Sequence, residues 1–253
     1  LGPMVGGALD GLFGWRASFV AFLIFGLMAL GLCLFDLRET NRNPSASMTA
    51  QFASYPDLFR SRRFWGYALC MAFSIGGFYS FLSGAPLVAT VLFDIPPAKL
   101  GLYIGSITCG FVFGSFLAGR LAARHKLTTM MIAGRLVAIC GLLTGLAILL
   151  FGVLHEVTIF GACIFYGIGN GITLPSSSSG AMSVRPHLAG SAAGLAGALT
   201  VAGGALMSGI TGAVLTEENA AHGMLGMMLL SAALALAAAL YVRWIDRREA
   251  ACA

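Results

Sequence analysis

Apolar runs of close to membrane length alternate along this chain with short polar stretches. A hydrocarbon layer about 30 Å thick needs roughly 20 helical residues at about 1.5 Å each, which gives a ruler for those runs. Seven full spans are predicted near residues 17–35, 65–93, 100–121, 127–154, 157–174, 189–215 and 223–244, with a shorter apolar segment, 1–13, ahead of them. The runs are continuously apolar rather than alternating in and out, and lipid forces each backbone N–H and C=O to be satisfied within its own segment. The expected fold class is all-α transmembrane: a helical bundle of one partial and seven full helices.

The one long polar stretch, 36–64, carries Pro44, Ser45 and Ser47 at an irregular centre, and it reads as a linker between two helix groups. The expected organisation is therefore 1–35 as two helices of a first half, 36–64 as linker, 65–245 as a six-helix second half and 246–253 as a tail. Polarity sorts the spans. Those at 17–35 and 223–244 hold almost no polar side chain and are expected to face lipid through Leu27, Leu234 and Leu236. The span at 65–93 carries Ser74, Tyr79, Ser80, Ser83 and Pro86, and the region 157–180 carries Tyr166, Asn170, Thr173, Pro175 and Ser176 to Ser179. Hydroxyls and proline interruptions are tolerated where water or protein re-satisfies the backbone, so these helices are expected to wall a cavity, with Tyr79, Ser83, Tyr166 and Asn170 facing it. The alternative is hydrogen bonding between packed helices, worth about 0.6 kcal/mol each on average. Small residues recur every fourth position at Gly101/Gly105, Gly110/Gly114/Ala118 and Gly190/Gly194/Ala198, faces that let a neighbouring backbone come close.

Composition excludes a water-soluble domain, because 58% of residues are apolar and 10% charged. The net charge of +5 is informative through its placement, which speaks for a membrane and not for a nucleic-acid partner. Arg38, Arg42, Arg60, Arg62 and Arg63, then Arg120, Arg124 and Lys126, then Arg185, then Arg243, Arg247 and Arg248 occupy every second loop. The loops between hold only Arg16 and Lys99, so the basic set and the C-terminus are expected in the cytoplasm. Arg135, alone inside a span, lies close enough to the cytoplasmic end to snorkel there or to face a wet cavity. Cys33, Cys70, Cys109, Cys140 and Cys163 sit one to a span with Cys252 in the tail, and the histidines fall in loops, so no disulfide, metal site or cofactor is expected. Gly167-Ile168-Gly169-Asn170-Gly171 superficially suggests a nucleotide loop but has no preceding strand, and Ser176 to Ser179 has no nucleophile elbow; no enzyme is expected.

Several motifs occur in order. Gly2-Pro3-x-x-Gly6-Gly7 on the first helix resembles the end of the antiporter motif of major facilitator drug exporters, where Pro removes a donor and glycines permit a bend. Gly14-Trp15-Arg16, Leu37-Arg38-Glu39-Thr40 and Ser83-Gly84-Ala85-Pro86 resemble elements of the bicyclomycin-resistance (Bcr/CflA) branch of that superfamily. Gly119-Arg120-Leu121-Ala122-Ala123-Arg124 is similar to a degenerate copy of its basic cytoplasmic loop motif, lacking the acidic residue. The resemblance implies helices five to twelve of a twelve-helix inner-membrane carrier whose N-terminal part is missing, monomeric when whole. It further implies export of small hydrophobic drug-like substrates in exchange for protons by alternating access. No Asp or Glu lies well inside the six spans after the linker, leaving only Asp10 as a coupling candidate, so the coupling carboxylate is expected in the absent part. A carrier of a metabolite such as a sugar, amino acid or siderophore, or a non-transporting membrane protein, are the alternatives.

Overall fold

The computed structural model describes residues 2–36 and 55–252, which form two compact units, 1–54 and 55–253. In the first unit α1 (Gly2–Phe13) and α2 (Arg16–Asp36) form a helical hairpin. Its turn explains the Gly-Trp-Arg motif. Gly14 takes φ +79°, a left-handed conformation that ends α1 with its N–H on the Asp10 carbonyl. Trp15 then stands edge-on to Phe19, while the Arg16 guanidinium lies 4.6 Å from the Trp15 ring. Within its own unit α2 buries nothing, and Leu27 is exposed. Leu37-Arg38-Glu39-Thr40 and the centre of the linker lie outside the described residues.

The second unit holds a short α3 (Tyr55–Phe59) and six long helices: α4 (Arg62–Phe93), α5 (Pro97–Leu121), α6 (Leu127–Leu150), α7 (Glu156–Ser183), α8 (Ala189–Val214) and α9 (Ala220–Cys252). With α2, these make seven helices long and apolar enough to cross a membrane among the described residues, so the protein is a multi-pass membrane protein. Ser61 caps α4 by accepting from the Phe64 N–H, and the Trp65 indole donates to the Phe59 carbonyl at 2.8 Å, which fixes how α3 enters the bundle. Helix α4 packs on α8 and α9, and α7 packs on α5 and α6; the pairs α4–α7 and α6–α9 join these groups. Short turns connect successive helices, so the connectivity gathers Arg60, Arg62, Arg63, Arg120, Arg124, Lys126, Arg185, Arg243, Arg247 and Arg248 at one end. There Arg63 ties the start of α4 to the end of α9 through Asp246 and Glu249.

Two expectations from the apolar pattern need correction. Helix α9 is not turned wholly outward. Met224, Leu225, Met228, Ser231, Ala232, Ala235, Ala239 and Val242 form one buried stripe, because alanines at helical spacing let α4 approach. Leu234 is exposed as expected, whereas Leu236 is half-buried, and α9 stays helical through most of the segment read as a tail. Helix α7 does not stop at Leu174 either. It continues through Pro175 to Ser183, with Ser176 donating to the Ile172 carbonyl and Ser183 to the Gly180 carbonyl. The small-residue faces also divide: Gly110 and Gly114 meet the backbone of α7, while Gly101, Gly190 and Gly194 face open space.

Candidate functional site

The glycine-rich centre of α7 sets the geometry of everything around it. Helical spacing puts Gly167 and Gly171 on one edge, where an added Cβ would strike the carbonyls of Ile107 and Phe111 on α5. Gly169 lies on another edge, where a Cβ would strike the Gly134 carbonyl of α6. Two backbones therefore approach α7 as closely as backbones can, and the residues between those edges are pressed onto α4 and α6.

On that pressed side Tyr166 and Asn170 converge on a single acceptor. The Tyr166 hydroxyl donates to the Ser74 carbonyl of α4 at 2.8 Å, and Asn170 Nδ2 donates to the same oxygen at 3.1 Å. Asn170 Oδ1 accepts from Arg135 Nη2 at 2.7 Å, and Thr173 Oγ1 accepts from Arg135 Nε at 3.0 Å while donating to the Met131 carbonyl at 3.3 Å. The guanidinium carbon lies 5.7 Å from the Tyr166 ring centroid. Arg135 is fully buried, its Nη1 has no hydrogen-bond partner, and among the described residues no carboxylate pairs with it. The snorkelling expectation is thus overturned. Gly134 brings α6 against Gly169 of α7, so the neighbouring arginine is laid across Asn170 and Thr173 instead of reaching the membrane surface.

Beside this cluster a cavity of about 200 Å³ opens between α4, α5 and α7. Its walls are Ile75, Phe78, Ile107, Thr108, Phe111, Gly167 and Leu174, and Asn170 is where it meets the polar cluster. A larger recess of about 550 Å³ runs along the α6–α7 surface past Val137, Cys140, Thr144 and Phe165, but it holds no ionisable group other than a cysteine thiol and does not touch the Arg135 cluster. The smaller cavity is the better candidate because its aromatic walls back directly onto the Arg135–Asn170 cluster.

The four residues selected from sequence separate into two pairs. Tyr166 and Asn170 come together at Ser74, both buried. Tyr79 and Ser83 lie one turn apart on the α8 side of α4: Tyr79 is half-buried against Gly204, and Ser83 is exposed with its hydroxyl 2.7 Å from that of Ser208. The cavity walls Ile75, Phe78 and Phe111 carry no sequence signal beyond being apolar. The antiporter-motif residues Gly2, Pro3, Gly6 and Gly7 occupy the first turns of α1. In the loop motif Gly119 and Arg120 close α5 and Arg124 lies in the turn after it; Arg120 rests over Phe116 at 4.5 Å, and Gly119 has open space beside it. Among the described residues no group of three or more His, Cys, Asp or Glu could hold a metal ion.

Known proteins place this architecture. The family model described as Major Facilitator Superfamily matches residues 1–209. The chain is 28% identical over 90% of its length to the multidrug resistance protein D of Escherichia coli (strain K12), covering 57% of that protein. It is 24% identical over 86% of its length to a bicyclomycin resistance protein homolog of Haemophilus influenzae, covering 55% of it. The chain thus spans little more than half the length of these relatives. A crystal structure of a bacterial homolog of the human lysosomal transporter Spinster superposes with a TM-score of 0.57 at 15% identity, over 97% of this chain and 64% of that one, a likeness of fold. The chain belongs to the Major Facilitator Superfamily, a family of membrane transporters, and its match to a bicyclomycin-resistance homolog agrees with the Bcr/CflA likeness of its motifs.

Proposed function

We propose that this chain is part of a proton-coupled exporter of small hydrophobic drugs, working by alternating access in a bacterial inner membrane. The observation that carries this reading is the cavity between α4, α5 and α7, whose aromatic and aliphatic walls present no polar surface and suit an apolar body better than a sugar, which needs many directed hydrogen bonds. The names of the two relatives, one for multidrug resistance and one for bicyclomycin resistance, support the same class of substrate. In this reading 1–35 are the last helices of an N-terminal half, 36–64 the cytoplasmic linker and 65–245 the C-terminal half, with the carrier acting as a monomer. The basic end of the six-helix unit lies in the cytoplasm together with the C-terminus. Gly2, Pro3, Gly6 and Gly7 bend α1 as an antiporter motif, and Gly119, Arg120 and Arg124 steer the cytoplasmic loop. Tyr79 and Ser83 line the pathway on the α8 side, and Tyr166 and Asn170 support it from within α7. In the six-helix unit the carboxylates Asp94, Glu156, Glu217, Glu218, Asp246 and Glu249 all stand at helix ends or in turns, so the coupling proton binds outside it.

The test is expression of the full-length carrier in a bacterial strain stripped of its own exporters. Tolerance to bicyclomycin or other lipophilic drugs should rise several-fold and should collapse when the proton gradient is dissipated. Asn170→Leu should change which drugs are tolerated at unchanged expression. A substitution that only lowers expression would leave Asn170 as a packing residue.

A further inference from the structure

The sequence offers a low-charge cavity wall, but the structure puts an arginine immediately behind it. Asn170 borders the cavity, and its amide oxygen is held at 2.7 Å by the guanidinium of Arg135, a planar cation with five donors and no acceptor. Arg135 is fully buried, and none of the groups that face it from the helices packed around it is a carboxylate or a second cation: Asn170, Thr173 and the Tyr166 ring on α7 and the Cys70 thiol on α4. Its Nη1 has no partner, so its charge is neither neutralised by a carboxylate nor fully dispersed by hydrogen bonds among the described residues. The cavity itself holds no ionisable group. In a medium of low dielectric such a charge is screened little over the width of one side chain.

The amide geometry adds to the effect. Arginine has no acceptor and the Ser74 carbonyl has no donor, so the two partners lock Asn170 in one orientation with its oxygen toward the cation. The cavity walls present no polar surface of their own, so the amide holds the cation in place and the charge reaches the cavity only as a field.

We propose that Arg135 makes the cavity between α4, α5 and α7 selective by charge, so that it accepts uncharged or anionic amphiphiles and rejects lipophilic cations of the same shape. The inference rests on the cavity being the drug site, and it names the substrate class of that site. Arg135 acts through its field, as a specificity-determining residue held in place by Asn170 that does not itself touch the ligand.

The ions 4-butylbenzoate and 4-butylbenzamidinium are nearly identical in shape, opposite in charge and small enough for a cavity of about 200 Å³, which isolates the effect. Equilibrium dialysis of each labelled ion against the purified full-length carrier, with binding to protein-free micelles subtracted, gives their dissociation constants. Two unit charges about 10 Å apart at an effective dielectric constant of about 20 change affinity by roughly tenfold, upward for the anion and downward for the cation, so the benzoate should bind about a hundredfold more tightly than the benzamidinium. Arg135→Gln should bring that ratio close to one, and Arg135→Lys should preserve it. Phe111→Trp, which fills the cavity, should abolish benzoate binding in a carrier that still elutes as a folded species. Equal affinities in the unmodified carrier overturn the proposal even where Arg135→Gln does not fold, and so does a benzoate preference that survives Arg135→Gln. Failure of both ions to bind the folded carrier, or benzoate binding untouched by Phe111→Trp, overturns the underlying assignment of the cavity instead.

Discussion

The two edges of α7 hold the bundle together by opposite means. Toward α5 the seam is made of absences: Gly110 and Gly114 on one helix and Gly167 and Gly171 on the other remove side chains, so carbonyl oxygens lie against Cα atoms and no side-chain hydrogen bond is needed. Toward α4 and α6 the seam is made of a buried cation with Asn170, Thr173, Tyr166 and the Ser74 carbonyl arranged around it. The first seam is shape alone, which tolerates no added atom. The second lays polarity over a further glycine contact, Gly134 against Gly169, so it tolerates neither an added atom at those glycines nor a missing partner in the cluster. The proposed alternating access would draw on both kinds of contact, since glycine faces permit close sliding while a polar cluster holds one discrete arrangement.

The comparison is broken most severely on the glycine edge. Gly171→Leu drives a side chain into the Phe111 carbonyl, and backbone cannot step aside as a rotamer can. Overpacking costs about 1–3 kcal/mol where neighbours adjust, so here the unfolding midpoint in detergent should drop by at least about 5 °C or no folded carrier should be recovered. On the polar edge the effect should be intermediate. Asn170→Leu strips Arg135 Nη2 and the Ser74 carbonyl of a partner and should cost about 1–3 kcal/mol. Adding Arg135→Leu should recover part of that loss, because two apolar groups then replace a half-satisfied charge; a double variant as unstable as the sum of the single ones would show that the two residues do not act together. The smallest effect belongs to Gly190→Ala and Gly194→Ala on α8, where an added Cβ meets nothing, and denaturation should move by no more than about 0.5 kcal/mol.

The sequence was most legible where periodicity alone decides. Every full span appears as a helix, because membrane length and continuous apolarity leave the backbone no alternative. The Gly110–Gly114 face was legible through its spacing, whereas at Gly190 and Gly194 no neighbour approaches among the described residues, since a small-residue stripe says that a helix can approach and not which one does. The Gly167–Gly171 run showed why a nucleotide loop was wrong but not what the glycines do, as that requires knowing that α5 and α6 flank α7 on separate edges. For Arg135 the sequence left two placements open, the membrane surface or a wet cavity, for the same reason. Its distance from the helix end allowed snorkelling, and only the α6–α7 crossing at Gly134 and Gly169 shows that the side chain is captured. Of the four cavity candidates, hydroxyl and amide content picked out Tyr166 and Asn170, which do meet, but could not reveal the apolar walls Phe78 and Phe111.

The central claim is that drugs are received in the α4–α5–α7 cavity, on the side of α7 away from the larger α6–α7 recess. Single cysteines at Phe111 and at Thr144, each in a full-length carrier lacking the native cysteines, test it by their rate of alkylation with N-ethylmaleimide in the presence and absence of a transported drug. The account predicts that saturating drug slows labelling at position 111 several-fold and leaves position 144 unchanged. Equal rates at 111 with and without drug, or protection at 144 alone, would contradict it.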